Sequence, residues 1–234
     1  MAKADFSLSA SKLGVFKSCP RCFWLHMTKK IERPRGIFPS LPSGLDRIIK
    51  TCMDQCRGMM PDPLIGKVPG VLWGSVEEIN KLRQWQSGMK PVIQTPHGSV
   101  SLIGAIDDLA IEGGMYSPVD AKTKGSAVKD GDTERYYGHQ ADVYALLLRD
   151  TGRPPSGKAY FFNVWPLEAT AMPGPHIGFL FDYRVIEIEA KADRAVELIC
   201  AATKLLREAP DAGPTAAPDC EYCAHHEALT GARL

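Results

Sequence analysis

Asp107, Asp120 and Lys122 carry the most specific chemical signal in the chain. They lie in Gly104-Ala105-Ile106-Asp107-Asp108-Leu109 and Pro118-Val119-Asp120-Ala121-Lys122-Thr123-Lys124. Both segments read as largely apolar strands, where an unpaired charge is costly to bury. Residues two apart on a strand share a face, so Asp120 and Lys122 point the same way. Such a set suits phosphodiester hydrolysis. Carboxylates hold a hard divalent cation that activates water and neutralises charge on the phosphate, and a nearby lysine orients that water or lowers its pKa. Asp-X-Lys alone is a weak pattern, for which a solvated surface pair is the plain alternative. Gln140 and Tyr144 strengthen it, four residues apart on one face of the next helix.

Cysteines form the second constellation. The chain has seven, at 19, 22, 52, 56, 200, 220 and 223. A reducing compartment disfavours disulfides, so cysteine pairs point to metal. Cys19-x-x-Cys22 and Cys220-x-x-Cys223 stand near opposite ends of the sequence. Four thiolates suit an iron–sulfur cluster or tetrahedral zinc, and spacing does not separate the two. His225 and His226 follow the second pair, where either could replace a cysteine ligand, although a solvated tail is the plainer reading. Cys52 and Cys56 lack a second pair and read as helix packing, and Cys200 sits in an apolar helix and reads as core.

The elements that must position these residues follow from pattern and punctuation. Ser7 to Met27 reads as a helix capped by Ser9 or Ser11 and interrupted at Cys19-Pro20-Arg21-Cys22, where Pro20 suits a first turn. Ile31 to Pro42 is a Pro-rich loop, Ser43 opens a helix towards Arg57, and Pro61 to Gly74 is irregular. Val92 to Ile111 reads as strand, turn at His97-Gly98, and strand. Met115 to Lys122 is a strand reached through Gly113-Gly114. A helix over Thr133 to Arg149, strands over Lys158 to Trp165 and Ile177 to Ile188, and a helix over Lys191 to Glu208 complete the order. A Pro/Ala/Gly-rich tail, Ala209 to Pro218, then leads into Cys220. This order fits an α/β sheet flanked by helices.

Composition bounds the function. The 234 residues are 44% hydrophobic and 24% charged, ordinary for a globular protein. The first residues lack the apolar core of a signal peptide, and no run approaches the roughly 18 apolar residues of a membrane span. A cytoplasmic protein without membrane association is expected. Net charge is +1, but residues 1–50 hold ten Lys/Arg against three Asp/Glu, while the rest is acidic. A basic end on an acidic chain is a candidate phosphate footprint, with Lys29, Lys30, Arg33 and Arg35 as its candidate nucleic-acid contacts.

Gly-x-x-Asp, a hairpin, Asp-x-Lys-Thr, and Gln-x-x-x-Tyr on a helix resembles the RecB-like nucleases of the PD-(D/E)XK superfamily. Ser9-Ala10-Ser11-Lys12 leading to Cys19-Pro20-Arg21, and the closing Cys220-Glu221-Tyr222-Cys223, resemble the CRISPR-associated adaptation exonucleases and helicase-linked nucleases. The resemblance implies a restriction-endonuclease-like α/β core, a central mixed sheet flanked by helices, with a metal-cluster clamp at the two ends. It implies one domain over 1–234, with 1–35 and 209–234 binding the cluster and 90–190 forming the catalytic sheet and helix.

The same resemblance assigns roles. Asp107 and Asp120 would bind Mg²⁺ or Mn²⁺ with the Ala121 carbonyl, Lys122 would position or activate water, and Gln140 and Tyr144 would steady the site. Relatives often add a His or Glu from an early helix, and Asp46 holds the nearest place here. Cys19, Cys22, Cys220 and Cys223 would hold a 4Fe–4S cluster, with structural zinc as the alternative, although many relatives split their cysteines one and three rather than two and two. The implied activity is a metal-dependent deoxyribonuclease, an exonuclease favouring single-stranded or end-containing DNA, in CRISPR adaptation or repair. Protein partners in such a complex are implied with it. The alternative is a catalytically weakened nucleic-acid-binding or complex-assembly subunit.

Overall fold

The computed structural model describes residues 4–34, 36, 40–86, 88–171 and 177–230. Two compact units emerge. One comprises Pro39–Met89 and Gly104–Ala192; the other comprises Met1–Phe38, Lys90–Ile103 and Asp193–Leu234. The fold class is α/β. Among the described residues the strands form a mixed five-stranded sheet in the first unit and a three-stranded sheet in the second.

The first β-strand, β1 (Phe6–Leu8), and helices α1 (Ala10–Ser18), α2 (Pro20–Trp24), α3 (Ser40–Asp54) and α4 (Val76–Arg83) come early in the chain. Strands β2 (Val71–Leu72), β3 (Val92–Thr95), β4 (Gly98–Leu102), β5 (Asp108–Glu112) and β6 (Met115–Thr123) follow or intervene. Helix α5 (Asp132–Asp150), strands β7 (Lys158–Ala171) and β8 (Ile177–Glu189), and helices α6 (Ala192–Glu208) and α7 (Glu221–Thr230) complete the chain.

The five-stranded sheet runs β2-β5-β6-β7-β8, antiparallel except for the parallel β6–β7 pair. Glu112 pairs with Met115, so Gly113 and Gly114 form a two-residue turn, both at positive φ, a conformation that glycine adopts without steric cost. A parallel pair needs a crossover, and α5 supplies it between β6 and β7. The period of two in β7 then sorts side chains between helices. Phe161 and Ala159 pack with Ala141 and Ala145 of α5, while Tyr160, Phe162 and Val164 pack with Ile49 and Met53 of α3. A large aliphatic or Phe side chain contributes on the order of 1.5–3 kcal/mol of apolar transfer energy when fully buried.

Several expectations shift. The helix expected from Ser43 begins at Ser40, with Pro42 in the first turn, where its missing N–H costs nothing. The segment expected to be irregular, 61–74, contains a 3₁₀ turn over Asp62–Leu64 and strand β2. Helix α4 was not expected. It carries a capping box, in which the Glu78 N–H donates to Ser75 Oγ and the Ser75 N–H donates to Glu78 Oε2.

In the second unit, β1 runs parallel to β4, and β3 pairs antiparallel with β4 across the Pro96-His97 turn. The strands of 92–102 therefore join the N-terminal strand rather than the five-stranded sheet. The helix expected over 7–27 opens instead with β1; Ser9 then caps α1, and the chain extends at Cys19 before Pro20 restarts it as α2. The tail before Cys220 is better packed than its composition suggests. Gly213 lies against Trp24 so closely that a Cβ there would stand 2.7 Å from the ring, and Arg21 donates to the Pro214 carbonyl at 3.0 Å.

Candidate active site

Asp120 lies mid-sheet, 2% exposed. Its neighbours Val119 and Ala121 pack into the core beneath α3, so Asp120 and Lys122 take the opposite face, under α5. Gln140 and Tyr144, one turn apart on α5, both reach the same carboxylate oxygen. Gln140 Nε2 donates to Asp120 Oδ2 at 3.0 Å, and the Tyr144 hydroxyl donates to it at 2.7 Å. Gln140 Nε2 also lies 2.5 Å from the Tyr144 oxygen.

The other oxygen, Oδ1, differs. Lys122 Nζ stands 2.5 Å away as an ion pair, yet Oδ1 has no directed hydrogen-bond donor among the described residues. The proximity therefore supplies charge without the alignment a hydrogen bond needs. The Lys122 ammonium also lies 4.6 Å from the Tyr137 ring centroid, which helps hold it in place. Burial, and next the charge of Asp107, push the Asp120 carboxyl up to about 6, against the opposing pull of Lys122 and Tyr144. Burial and the same two carboxylates hold the Tyr144 phenol well above its ordinary range, so it stays a donor.

The Asp107-Asp108 doublet divides its work. Asp107 pairs with Lys50 of α3 at 2.9 Å, and Lys50 pairs equally with Asp46 at 2.9 Å. Asp108 is buried in a cluster of charges. Arg57 grips both of its oxygens, and Arg83 Nη2 donates at 3.1 Å. Asp54 bridges the two arginines at 3.0 and 2.8 Å, and Arg83 Nε donates to the Asp107 carbonyl at 2.8 Å. The cluster thus holds the backbone that presents Asp107.

Sequence reasoning missed Lys50, Asp54, Arg57 and Arg83. One signal was available. Adjacent strand residues face opposite ways, so the second aspartate of a buried doublet needs a cationic partner from elsewhere.

These residues fit a hard divalent cation in part. Asp120 offers a buried oxygen without a directed donor, close enough to Asp107 to feel its charge. Asp46 and Asp107 meet at Lys50 rather than at Asp120. Among the described residues, three or more potential ligand atoms converge within 4.8 Å at the cysteines and not at the carboxylates.

At the cysteines, Cys19, Cys22, Cys220 and Cys223 are all buried. Cys22 Sγ lies 3.5 Å from Cys220 and 3.6 Å from Cys223, and Cys19 lies 3.9 Å from Cys223. The group is competent to hold a metal or cluster, and it closes without His225 or His226, both of which are exposed. Cys52 is exposed, and Cys56 packs at the margin of the α3 core.

The basic candidates are dispersed. Lys29 lies over Trp24, and Lys30 ends its turn in the left-handed region and donates to the Met27 carbonyl. Arg33 packs on Tyr222 and donates to Ser18 and Cys220, which ties it to the cysteine group. Arg35 lies outside the described residues.

The PD-(D/E)XK nuclease superfamily pattern matches residues 63–228. The chain belongs to the PD-(D/E)XK nuclease superfamily. Its matched span takes in Asp107, Asp120, Lys122, Gln140 and Tyr144, and superfamily membership brings divalent-metal nuclease chemistry and nucleic-acid binding. No curated protein matches the chain. Among solved structures, the crystal structure of SSO0001 is similar over 90% of this chain and 81% of that one, at 16% identity and a TM-score of 0.44. No helix among the described residues is long and apolar enough to cross a membrane.

Proposed function

We propose that this PD-(D/E)XK protein is a divalent-metal-dependent deoxyribonuclease acting on single-stranded or end-containing DNA. The observation that carries the proposal is the asymmetry of Asp120. One buried oxygen is held by Gln140 and Tyr144, and the other faces Lys122 without a directed donor. Asp107, Asp120 and the Ala121 carbonyl would hold Mg²⁺ or Mn²⁺, with Asp46 as a further candidate. When bound, such an ion supplies Lewis acidity towards the phosphate and lowers the pKa of water. Gln140 and Tyr144 hold Oδ2 and so fix the carboxylate plane, which keeps Oδ1 turned towards Lys122 and a metal. Lys122, held by Asp120 and Tyr137, places a positive charge where the attacking water is oriented. The proposed setting is cytoplasmic DNA processing such as CRISPR adaptation or repair.

End-labelled single- and double-stranded DNA, incubated with Mg²⁺, Mn²⁺ or EDTA, tests this reading. Metal-dependent cleavage, faster on the single strand, supports it. Equal rates on both substrates would remove the strand preference, and cleavage persisting in EDTA would remove the metal.

A second reading, a catalytically weakened nucleic-acid-binding or complex-assembly subunit, draws support from Lys50. Its ammonium sits between Asp46 and Asp107 and balances charge that a cation would otherwise balance. DNA binding without cleavage under every metal condition favours this alternative.

A further inference from the structure

Four thiolates around one ion, with metal–sulfur bonds of about 2.3 Å, form a tetrahedron with edges of about 3.8 Å. Three of the sulfur pairs here are 3.5, 3.6 and 3.9 Å apart, and all four sulfurs lie within 4.8 Å of one another. A four-iron cluster gives each cysteine its own iron, so its sulfurs stand apart by the added width of the iron–sulfide core. Sulfurs this close enclose one ion and leave no space for that core. We infer that the cysteine centre takes a single tetrahedral ion of the zinc class, rather than the 4Fe–4S cluster that the terminal motifs imply.

The surroundings agree. The two Cys-x-x-Cys pairs are built alike, each with its first cysteine immediately before a helix, α2 or α7, and its second in the first turn. Two such two-residue spacings are an ordinary structural-zinc arrangement. Four thiols lose their protons to solvent as a divalent ion binds, leaving the site with a net charge of about −2. Donors are present to offset it. The Ala217 N–H points at Cys19 Sγ at 3.4 Å, and Arg33 Nη2 approaches Cys220 Sγ at 3.9 Å. With all four positions taken by protein, no open coordination site remains, so the centre is structural rather than catalytic. It rests on its own distances and stands or falls apart from the nuclease reading.

The full chain, expressed with iron and zinc both supplied and purified without oxygen, is tested by metal analysis and visible absorption. About one zinc per chain in colourless protein is expected. Cobalt replacing that metal should give the intense visible bands of a tetrahedral thiolate site, and Cys19→Ser or Cys220→Ser should lower zinc content several-fold. Because these variants risk misfolding, Arg33→Gln serves as a milder one, expected to keep the zinc but to lose it faster to a chelator. Brown protein with about four irons and acid-labile sulfide per chain would overturn the inference. So would anaerobic protein holding neither metal, with all four thiols alkylated in the native state.

Discussion

At the scale of single residues, Asp120 is where burial and function conflict. Its ordinary carboxyl value of 3.8 is raised to about 6, so between these values the folded chain keeps a proton that the unfolded chain has lost. Stability without metal should therefore fall as pH rises through this window and stay at the lower level above it. Asp120→Asn should flatten that fall, measured as melting temperature against pH in EDTA. An unchanged slope would assign it to another group. Lys50 gives a second test. Lys50→Met removes the ammonium shared by Asp46 and Asp107, so the Mn²⁺ concentration for half-maximal binding, read by calorimetry, should drop several-fold. Asp46→Ala should raise it if Asp46 is a ligand, and coincident titrations would make Asp46 no more than the partner of Lys50. As candidates, Asp107, Asp120 and Lys122 stood out in the sequence because charges in apolar strands are conspicuous. Lys50 did not, since Asp107 lies in a distant segment and the pairing with Asp46 one turn away looks like any helix-surface pair.

At the scale of elements, the site depends on how α4 and α3 present the doublet. Arg83 is the last residue of α4 and joins Asp108, Asp54 and the Asp107 carbonyl. Arg83→Ala should cost about 2–3 kcal/mol, below the full penalty for breaking a buried pair because Arg57 remains on Asp108. Denaturant melts read the stability, and the DNA cleavage rate should fall with it at temperatures where the fold persists. A loss below about 0.5 kcal/mol would place the cluster among ordinary surface pairs. The sequence showed most strands and the long helices, because alternation and the Gly113-Gly114 turn are local signals. It did not show that the strands of 92–102 pair with Phe6–Leu8. An alternating strand looks the same whichever sheet receives it. Helix α4 was missed although Ser75 and Glu78 spell a capping box, because it is short and follows directly on a Pro- and Gly-rich stretch.

At the scale of the whole molecule, charge and chemistry should separate. Among the described residues, Lys29 and Lys30 are the basic candidates not tied to the cysteine group, so Lys29→Gln with Lys30→Gln should flatten the salt dependence of DNA binding. Each lost phosphate contact lowers the slope of log affinity against log salt by about 0.7 on a single strand. A parallel line displaced by nothing would put the DNA path elsewhere. The cysteine pairs were the most legible long-range feature, since two Cys-x-x-Cys motifs point to a shared metal. The choice between a single ion and a cluster was not, because spacing along the chain carries no information about the distance between sulfurs. The central claim is that Asp120 and Lys122 perform the chemistry of a metal-dependent nuclease. It is tested most directly by the single-turnover cleavage rate of end-labelled single-stranded DNA in Mn²⁺, with the parent, Asp120→Asn and Lys122→Ala compared at equal folded concentration. The account expects a rate in the parent that EDTA abolishes and a fall of at least about 100-fold in each variant, with DNA affinity within a few-fold of the parent. Undiminished cleavage by either variant would contradict it.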